Sequence, residues 1–282
     1  MTTLNAYATL AEYKAYTTAR GQTATTDTVD DGVIDQLLKY VSRYFDDQTG
    51  RFYFPYVQTR YYDVPTSEVV DDLRVLKLDA DLLEVISLAN GDGTAIPSTE
   101  YDLKPRNQSP YSQIRLKDTS TYLWASNGSG NVHDVIAVTG IWGYHDLYSK
   151  AWLSGSTLAE ALDDNEVGLD VTSGTLFAVG NIIKVESELG YVSVVSSNTL
   201  TSTRGENGST ATTHLTALPV YIWQTMESIK TVVLETAMQA YKRRTGQSTN
   251  NSATITAAGV VLTPQDIPSM AIDFIKMHRR RT

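Results

Sequence analysis

Apolar residues recur at helical spacing near both ends of the chain, Thr9 to Gln48 and Tyr221 to Arg281, and in strand-like runs between them. Thr9-Leu10-Ala11-Glu12 has the spacing of a capping box, and the helix it opens is expected to end near Gly21. After a Thr-rich loop, Asp30 and Asp31 precede Ile34, Leu37, Leu38, Val41, Tyr44 and Phe45, an apolar series with acids at the positive end of its helix. Gly50 supplies a left-handed stop. Toward the other end, Ile222, Met226, Ile229, Val233, Ala237 and Tyr241 form one face of a long helix predicted from Tyr221 to about Thr245 and ended by Gly246. A Ser/Thr-rich loop, Asn250 to Gly259, precedes Pro264 and Pro268, which announce a final helix through Met270, Ile272, Phe274, Ile275 and Met277. Helices of this length are marginal alone in water and cannot bury their own apolar stripes, so the two ends are expected to pack on one another.

The middle predicts strands at Phe52 to Val57, Thr59 to Asp63, Leu73 to Leu78 and Leu83 to Leu88, with a hairpin turn at Asn90-Gly91-Asp92-Gly93. Ser126 to Asn131 reads as a surface loop rather than a phosphate cradle, because no helix pattern follows it. Val135 to Tyr144 reads as a buried strand. The acidic segment Leu158 to Asp170 is expected to be a short helix or a linker before a second β region, Val171 to Tyr221, whose short strands and Gly/Asn/Ser turns suit a compact barrel. The fold class is therefore α+β. Residues 1–50 and 221–282 form a helical module bracketing a β-sandwich or small β-barrel insertion, with a sheet region at 51–152 and a barrel-like part at 153–220.

Composition narrows the class. The chain has 282 residues, 41% hydrophobic and 20% charged, ordinary values for a globular protein with a sizeable core. No apolar run approaches the roughly 20 residues of a membrane span, and Met1-Thr2-Thr3-Leu4-Asn5 lacks the charged and apolar regions of a conventional secretion signal. Without cysteine there are neither disulfides nor thiolate zinc sites. A net charge of −9 opposes wrapping of nucleic acid by the whole surface. Base is nonetheless clustered, in Lys242, Arg243 and Arg244 and in His278, Arg279, Arg280 and Arg281, where it either complements helix C-termini or docks on DNA or an acidic partner. Seventeen tyrosines against five phenylalanines suit half-buried positions at interfaces and on sheet surfaces.

Candidate chemistry is sparse. His133, His145, His214 and His278 lie far apart and none sits at metal-ligand spacing with an acid, so neither metal nor cofactor is expected. Asp30-Asp31, Asp46-Asp47, Asp71-Asp72 and Asp163-Asp164 read as caps and solvated turns, since adjacent side chains diverge. Strand alternation would put Glu186 and Glu188 on one face, either as the wet outside of a barrel strand or as a carboxylate pair for a cation. No nucleophile elbow, P-loop or dinucleotide fingerprint is present. The sequons at Asn107, Asn127, Asn207 and Asn250 match by composition only.

The order of segments carries more. Ala6-Tyr7-Ala8-Thr9-Leu10-Ala11-Glu12-Tyr13-Lys14, the acid-started helix, Thr49-Gly50-Arg51-Phe52 and Thr59-Arg60-Tyr61-Tyr62-Asp63 together resemble head-tail connector (adaptor or head-completion) proteins of tailed bacteriophages. Leu82 to Leu88, Val138 to Tyr144 and the terminal helix pair ending in Arg279-Arg280-Arg281 are similar to later parts of longer connectors. Asn198 to His214 resembles a small β-module of phage virion proteins, read here as strand, Gly turn and strand with Arg204 bracing the turn. Ser202 stands where an apolar residue is commoner, and Gly190 interrupts the preceding strand. Compact connectors lack the large β insertion.

The resemblance implies a non-enzymatic subunit of the virion neck, made in the host cytoplasm. Its partners would be copies of itself in a dodecameric ring, the portal protein, tail or stopper proteins and, transiently and non-specifically, packaged DNA, with no membrane. By analogy Phe274, Ile275, His278, Arg279, Arg280 and Arg281 would dock on portal, and Lys242, Arg243 and Arg244 would face the DNA channel. Two other readings remain. One is a β-rich virion or baseplate module gripping carbohydrate or protein, with Tyr53, Tyr56, Tyr61 and Tyr62 as its platform. The other is a cell-wall hydrolase using paired carboxylates.

Overall fold

The structure, a computed structural model, describes residues 5–20, 28–67, 72–244, 254–255, 261–262 and 267–280. It combines helices with antiparallel sheets in two compact units, one formed by Met1–Tyr53 with Thr225–Thr282 and the other by Phe54–Gln224.

The first unit holds α1 (Leu10–Ala19), α2 (Asp31–Thr49), α3 (Glu227–Arg244) and α4 (Ser269–His278). The capping box forms as its spacing predicts: Thr9 Oγ1 accepts the Glu12 amide at 3.2 Å and Glu12 Oε2 accepts the Thr9 amide at 2.8 Å. Such a cap is worth about 1 kcal/mol. Gly50 ends α2 at φ 66°, the left-handed conformation expected of it. Ile34, Leu38, Val41 and Phe45 of α2 are buried, as are Ile229, Val233 and Ala237 of α3 and Ala271 and Phe274 of α4.

The long helix starts later than its periodicity predicts. Residues 219–223 form a strand and α3 opens only at Glu227. Val220-Tyr221-Ile222-Trp223 is a β-branched and aromatic run that fits a pleated, half-buried surface. Ile222 is thereby in the core of the second unit and not on the helix face with Met226. Gly21, Gly246, Asn250 to Ala253, Thr256 to Gly259 and Pro264 lie outside the described residues.

Hydrogen-bonded polar groups lock these helices together. Tyr241 donates to Asp30 Oδ2 at 2.5 Å. Glu235 accepts from Tyr16 at 2.7 Å and pairs with Arg20 at 2.8 Å. Deepest is Asp46, which accepts from the Tyr7 hydroxyl while that oxygen accepts the Tyr53 amide at 2.8 Å. Arg43 Nε stands 2.9 Å from the second Asp46 oxygen as an ion pair.

The second unit contains two sheets. Five strands, β1 (Tyr56–Tyr62), β2 (Val75–Ala89), β3 (Tyr101–Lys104), β4 (Tyr111–Leu116) and β5 (Ile136–Trp142), form a sheet in the order β1-β5-β2-β4-β3. The buried run in 135–144 is β5, paired on both sides, so both of its faces need apolar residues. Gly140 lets β2 approach, since a Cβ there would stand 2.5 Å from the Glu84 carbonyl oxygen. The runs at 73–78 and 83–88 belong to the single strand β2 and not to two strands. Asp79 between them does not turn the chain, because Tyr62 and Arg60 bind its carboxylate at 2.7 and 2.9 Å. Register shifts along β2 absorb the irregularity.

Six more strands, β6 (Trp152–Thr157), β7 (Gly168–Asp170), β8 (Ile182–Val185), β9 (Glu188–Ser196), β10 (Thr199–Arg204) and β11 (Pro219–Trp223), form a sheet in the order β6-β11-β8-β9-β10-β7. The barrel expected here is not closed. The chain beyond the edge strands β6 and β7 meets at a single bridge, Leu158 to Val171, because β7 has three residues and offers too short a ladder. The sheet rolls around Leu158, Leu162, Leu169, Val171, Phe177, Ile183, Val185, Val192, Leu200, Val220 and Ile222. Leu158 to Asp170 is neither a helix nor a linker, since Leu162 bridges His214 and the segment ends in β7.

Burial pushes the Asp46 carboxyl up to about 7 against the pull of Arg43 and Tyr7, whereas an unfolded Asp titrates near 3.9, so the folded state holds this proton more tightly. The stability Asp46 contributes is complete below about pH 4 and is lost as pH rises through 7. Asp46→Asn keeps the acceptor for Tyr7 and cannot titrate. Wild type is expected to lose on the order of 3 kcal/mol relative to this variant between those limits, read from denaturation followed by helical ellipticity. A difference that stays flat with pH would rule the assignment out.

Candidate functional site

The densest convergence of charged side chains lies at one end of the rolled sheet. A two-residue turn, Glu186-Ser187, joins β8 to β9, with Val185 paired to Glu188 and Glu186 at φ 52°. This turn aims both acids at His214. Glu186 Oε2 lies 2.8 Å from Nδ1 and Glu188 Oε2 lies 2.8 Å from Nε2. The His214 side chain is 1% exposed. Both ring nitrogens can donate at once only in the imidazolium form.

Arg204, at the end of β10, completes the cluster. Its Nε and Nη2 grip Glu188 at 2.8 and 2.7 Å, Nη2 also reaches the Thr212 carbonyl at 2.5 Å, and Nη1 binds the carbonyls of Asp163 and Glu166. A guanidinium has five N–H donors in a rigid fork, and Arg204 uses them on four separate residues. Burial raises the Glu188 carboxyl, but the Arg204 fork, the Thr212 amide and the His214 ring outweigh it and hold the group below the usual carboxylate range. Arg204 thus braces the turn, as its position in Asn198 to His214 predicts. The turn itself packs on the other sheet of the unit: Asn207 accepts the Val57 amide at 2.8 Å and donates to the Pro55 carbonyl at 2.9 Å. A Cβ on Gly208, at φ 79°, would stand 2.3 Å from the Val57 carbonyl oxygen. The free edge of β1 is covered by this contact.

Chemically the cluster is closed. Glu188 and His214 spend their lone pairs and protons on each other, on Arg204 and on Glu186. The cavity touching them, about 10 Å³, is about the size of one water. Ser202 lines it, 2% exposed with a hydroxyl that has no partner among the described residues, so the polar residue at this apolar position faces a water-sized gap. Gly190 does not interrupt β9, where it pairs with Ile183 and Arg204. Glu186, in the turn, is exposed to water while Glu188, at the start of β9, is buried, so the two neither share one strand face nor form a mutual carboxylate pair. They clamp a histidine, and the signal that could have found it is His214 standing beside a module with an arginine. Among the described residues no group of three or more His, Asp or Glu is arranged to hold a metal ion.

The other sequence candidates scatter. Phe274 is not a surface residue: it is 2% exposed, its ring stacks on His278 at 4.1 Å and it packs edge-on against Phe45 at 5.8 Å, so it seats α4. Ile275 is half-buried and Arg279 exposed. The main chain of His278 accepts Arg51 Nε at 2.8 Å and the Arg280 amide donates to the Thr49 carbonyl at 2.8 Å, tying the start of the basic run to the end of α2. Lys242 and Arg243 are half-buried with partners of their own, and Arg244 is the last residue of α3. Arg281 and Asp71 lie outside the described residues. His145 is buried against Trp223, and burial lowers its proton affinity. His133 is an exposed partner of Asp63. Tyr53 and Tyr62 are buried while Tyr61 is exposed, so that tyrosine group forms no common platform.

No protein-family model matches the chain, and no curated protein sequence matches it. No helix among the described residues is long and apolar enough to cross a membrane.

Removing one partner from a buried ion pair costs about 3–5 kcal/mol, and the Arg204 and Glu188 side chains are each 5% exposed. Glu188→Gln and Arg204→Lys are each expected to destabilise the β unit by about 3 kcal/mol. All four tryptophans lie within 54–224, so their fluorescence reports this unit alone. Because the folded Glu188 is more acidic than the unfolded one, its contribution is complete above about pH 4.3 and disappears as pH falls through the folded value. Unchanged tryptophan melting in both variants would contradict the brace.

Proposed function

We propose that the chain is a structural, non-enzymatic subunit of a phage neck ring that joins portal to tail and continues the DNA channel. The observation that carries this reading is the outward face of α4. Phe274 and Ala271 anchor the helix inward, while Met270 and Met277 are 41% and 74% exposed, with Lys276 and Arg279 exposed beside them. Exposed methionines flanked by cations suit a protein interface, since flexible thioethers adapt to a partner surface and rim charges set register. The helical unit built from both chain ends supplies the stiff element that a ring subunit needs for heterologous contacts to its neighbours. The cluster from Lys242 to Arg244 serves the channel in this reading, and the acidic remainder of the chain keeps DNA contact weak and non-specific.

Native mass spectrometry and negative-stain imaging of the purified chain, alone and with portal, test the reading. Ring assembly, alone or on portal, is the expected result. Met277→Glu and deletion of Arg279 to Thr282 should weaken portal attachment at least tenfold. Melts of Met277→Glu should stay within about 0.5 kcal/mol of wild type, as for most surface changes, and the deletion, which removes the Arg280 bond to Thr49, should lower helical stability by about 1 kcal/mol without unfolding the unit. A strictly monomeric chain that ignores portal would overturn the proposal, and full attachment by both variants would remove α4 from the contact.

A further inference from the structure

Away from the Arg204 cluster, the second unit carries an open groove of about 450 Å³ against β2, β3 and β4. That volume falls within the roughly 300–1,000 Å³ of small-molecule sites. Tyr101, Tyr111 and Tyr148 line it together with Glu84, Asp102 and Arg106. One wall is fixed in place. Tyr148 donates to Glu84 Oε2 at 2.9 Å and accepts Trp152 Nε1 at 3.1 Å, while Lys184 Nζ reaches the same carboxylate oxygen at 3.0 Å and lies over the Trp152 ring at 4.8 Å.

The remaining polar groups of the groove are unspent. Arg106, Asp102 and the hydroxyls of Tyr101 and Tyr111 make no side-chain hydrogen bond or ion pair among the described residues, whereas Arg43, Arg60, Arg115 and Arg204 are each bound to an acid. Formal charge nearly cancels, since Lys184 offsets Glu84 and Arg106 offsets Asp102. A ligand that fits has flat apolar faces for tyrosine rings and many hydroxyls that both donate and accept, and it carries no net charge.

We propose that this groove binds a neutral saccharide, with Tyr111 as its ring platform, Arg106, Asp102 and the hydroxyl of the otherwise buried Tyr101 hydrogen-bonding sugar hydroxyls, and Tyr148 held rigid by Glu84. The assignment is independent of the ring reading and would place a glycan contact on the β unit. Its test uses the full chain with maltose, cellobiose, lactose and diacetylchitobiose as probes, and digalacturonic acid and tetra-alanine as comparators, in saturation-transfer NMR and calorimetry. At least one neutral disaccharide is expected to bind with a Kd in the millimolar range or tighter. Tyr111→Ala and Arg106→Ala should each weaken that binding at least tenfold, about 1.4 kcal/mol, with Tyr111→Phe intermediate because it keeps the ring. Tryptophan melts show whether each variant is folded, and Arg106 is an exposed loop residue whose loss leaves the core intact. No saturation transfer from any of the four disaccharides, equal binding by both alanine variants, or tighter binding of digalacturonic acid or tetra-alanine would each overturn the proposal.

Discussion

The β unit depends on one buried ion cluster. Arg204 holds Glu188 at the start of β9, the carbonyls of Asp163 and Glu166 before β7, and Thr212 before β11, so one fork joins three segments distant in sequence. The sheet needs such a joint because its edges meet at a single bridge. A ladder spreads its energy over many hydrogen bonds, whereas a roll with a short edge strand must be fastened by side chains. Burying the pair incurs a desolvation cost that only complete satisfaction offsets, and Glu188 meets it with Arg204, the Thr212 amide and His214. His214 then draws in Glu186, which explains why a non-glycine residue sits at positive φ in the tightest part of the hairpin.

The helical unit uses the same physics for a different purpose. Its apolar stripes hold the helices together without fixing their register, and buried polar contacts add that precision. Tyr7 is the clearest case, with one hydroxyl joining Asp46 on α2 to the backbone of Tyr53, the last residue of the unit before the chain enters the sheets. Phe274 and His278 add an aromatic layer over Phe45 and Tyr53. Consequently α4 is held by one side alone, and Met270 and Met277 are left to the surface.

Local signals were legible wherever the chemistry is local. The Thr9 to Glu12 capping box and the Gly50 stop need only neighbouring residues to act, and each forms as read, while the 135–144 run was legible from its own apolar composition although remote strands pair it on both sides. The errors fall where partners are remote. Ile222 fits a helix face by spacing, but its strand pairing with β6 and β8 decides its state. Leu73 to Leu78 and Leu83 to Leu88 read as two strands, but Arg60 and Tyr62 bind Asp79 between them and the chain runs through as one. Phe274 stands one turn from a basic run and so suggests a surface, yet α2 and Tyr53 cover it.

The candidate sites divide along the same line. Sequence alone established the α+β class, the helical character of both ends, the lack of cysteine chemistry and the special place of Arg204 in its turn. Tertiary structure alone decided that Glu186, Glu188 and His214 meet, that the second sheet rolls without closing, and that Tyr101, Tyr111 and Tyr148 share one groove. Helix caps and turns are set by interactions over a few residues, which periodicity records. A side-chain cluster is set by strand register between segments tens of residues apart, and no spacing along one chain encodes which acid will face which base.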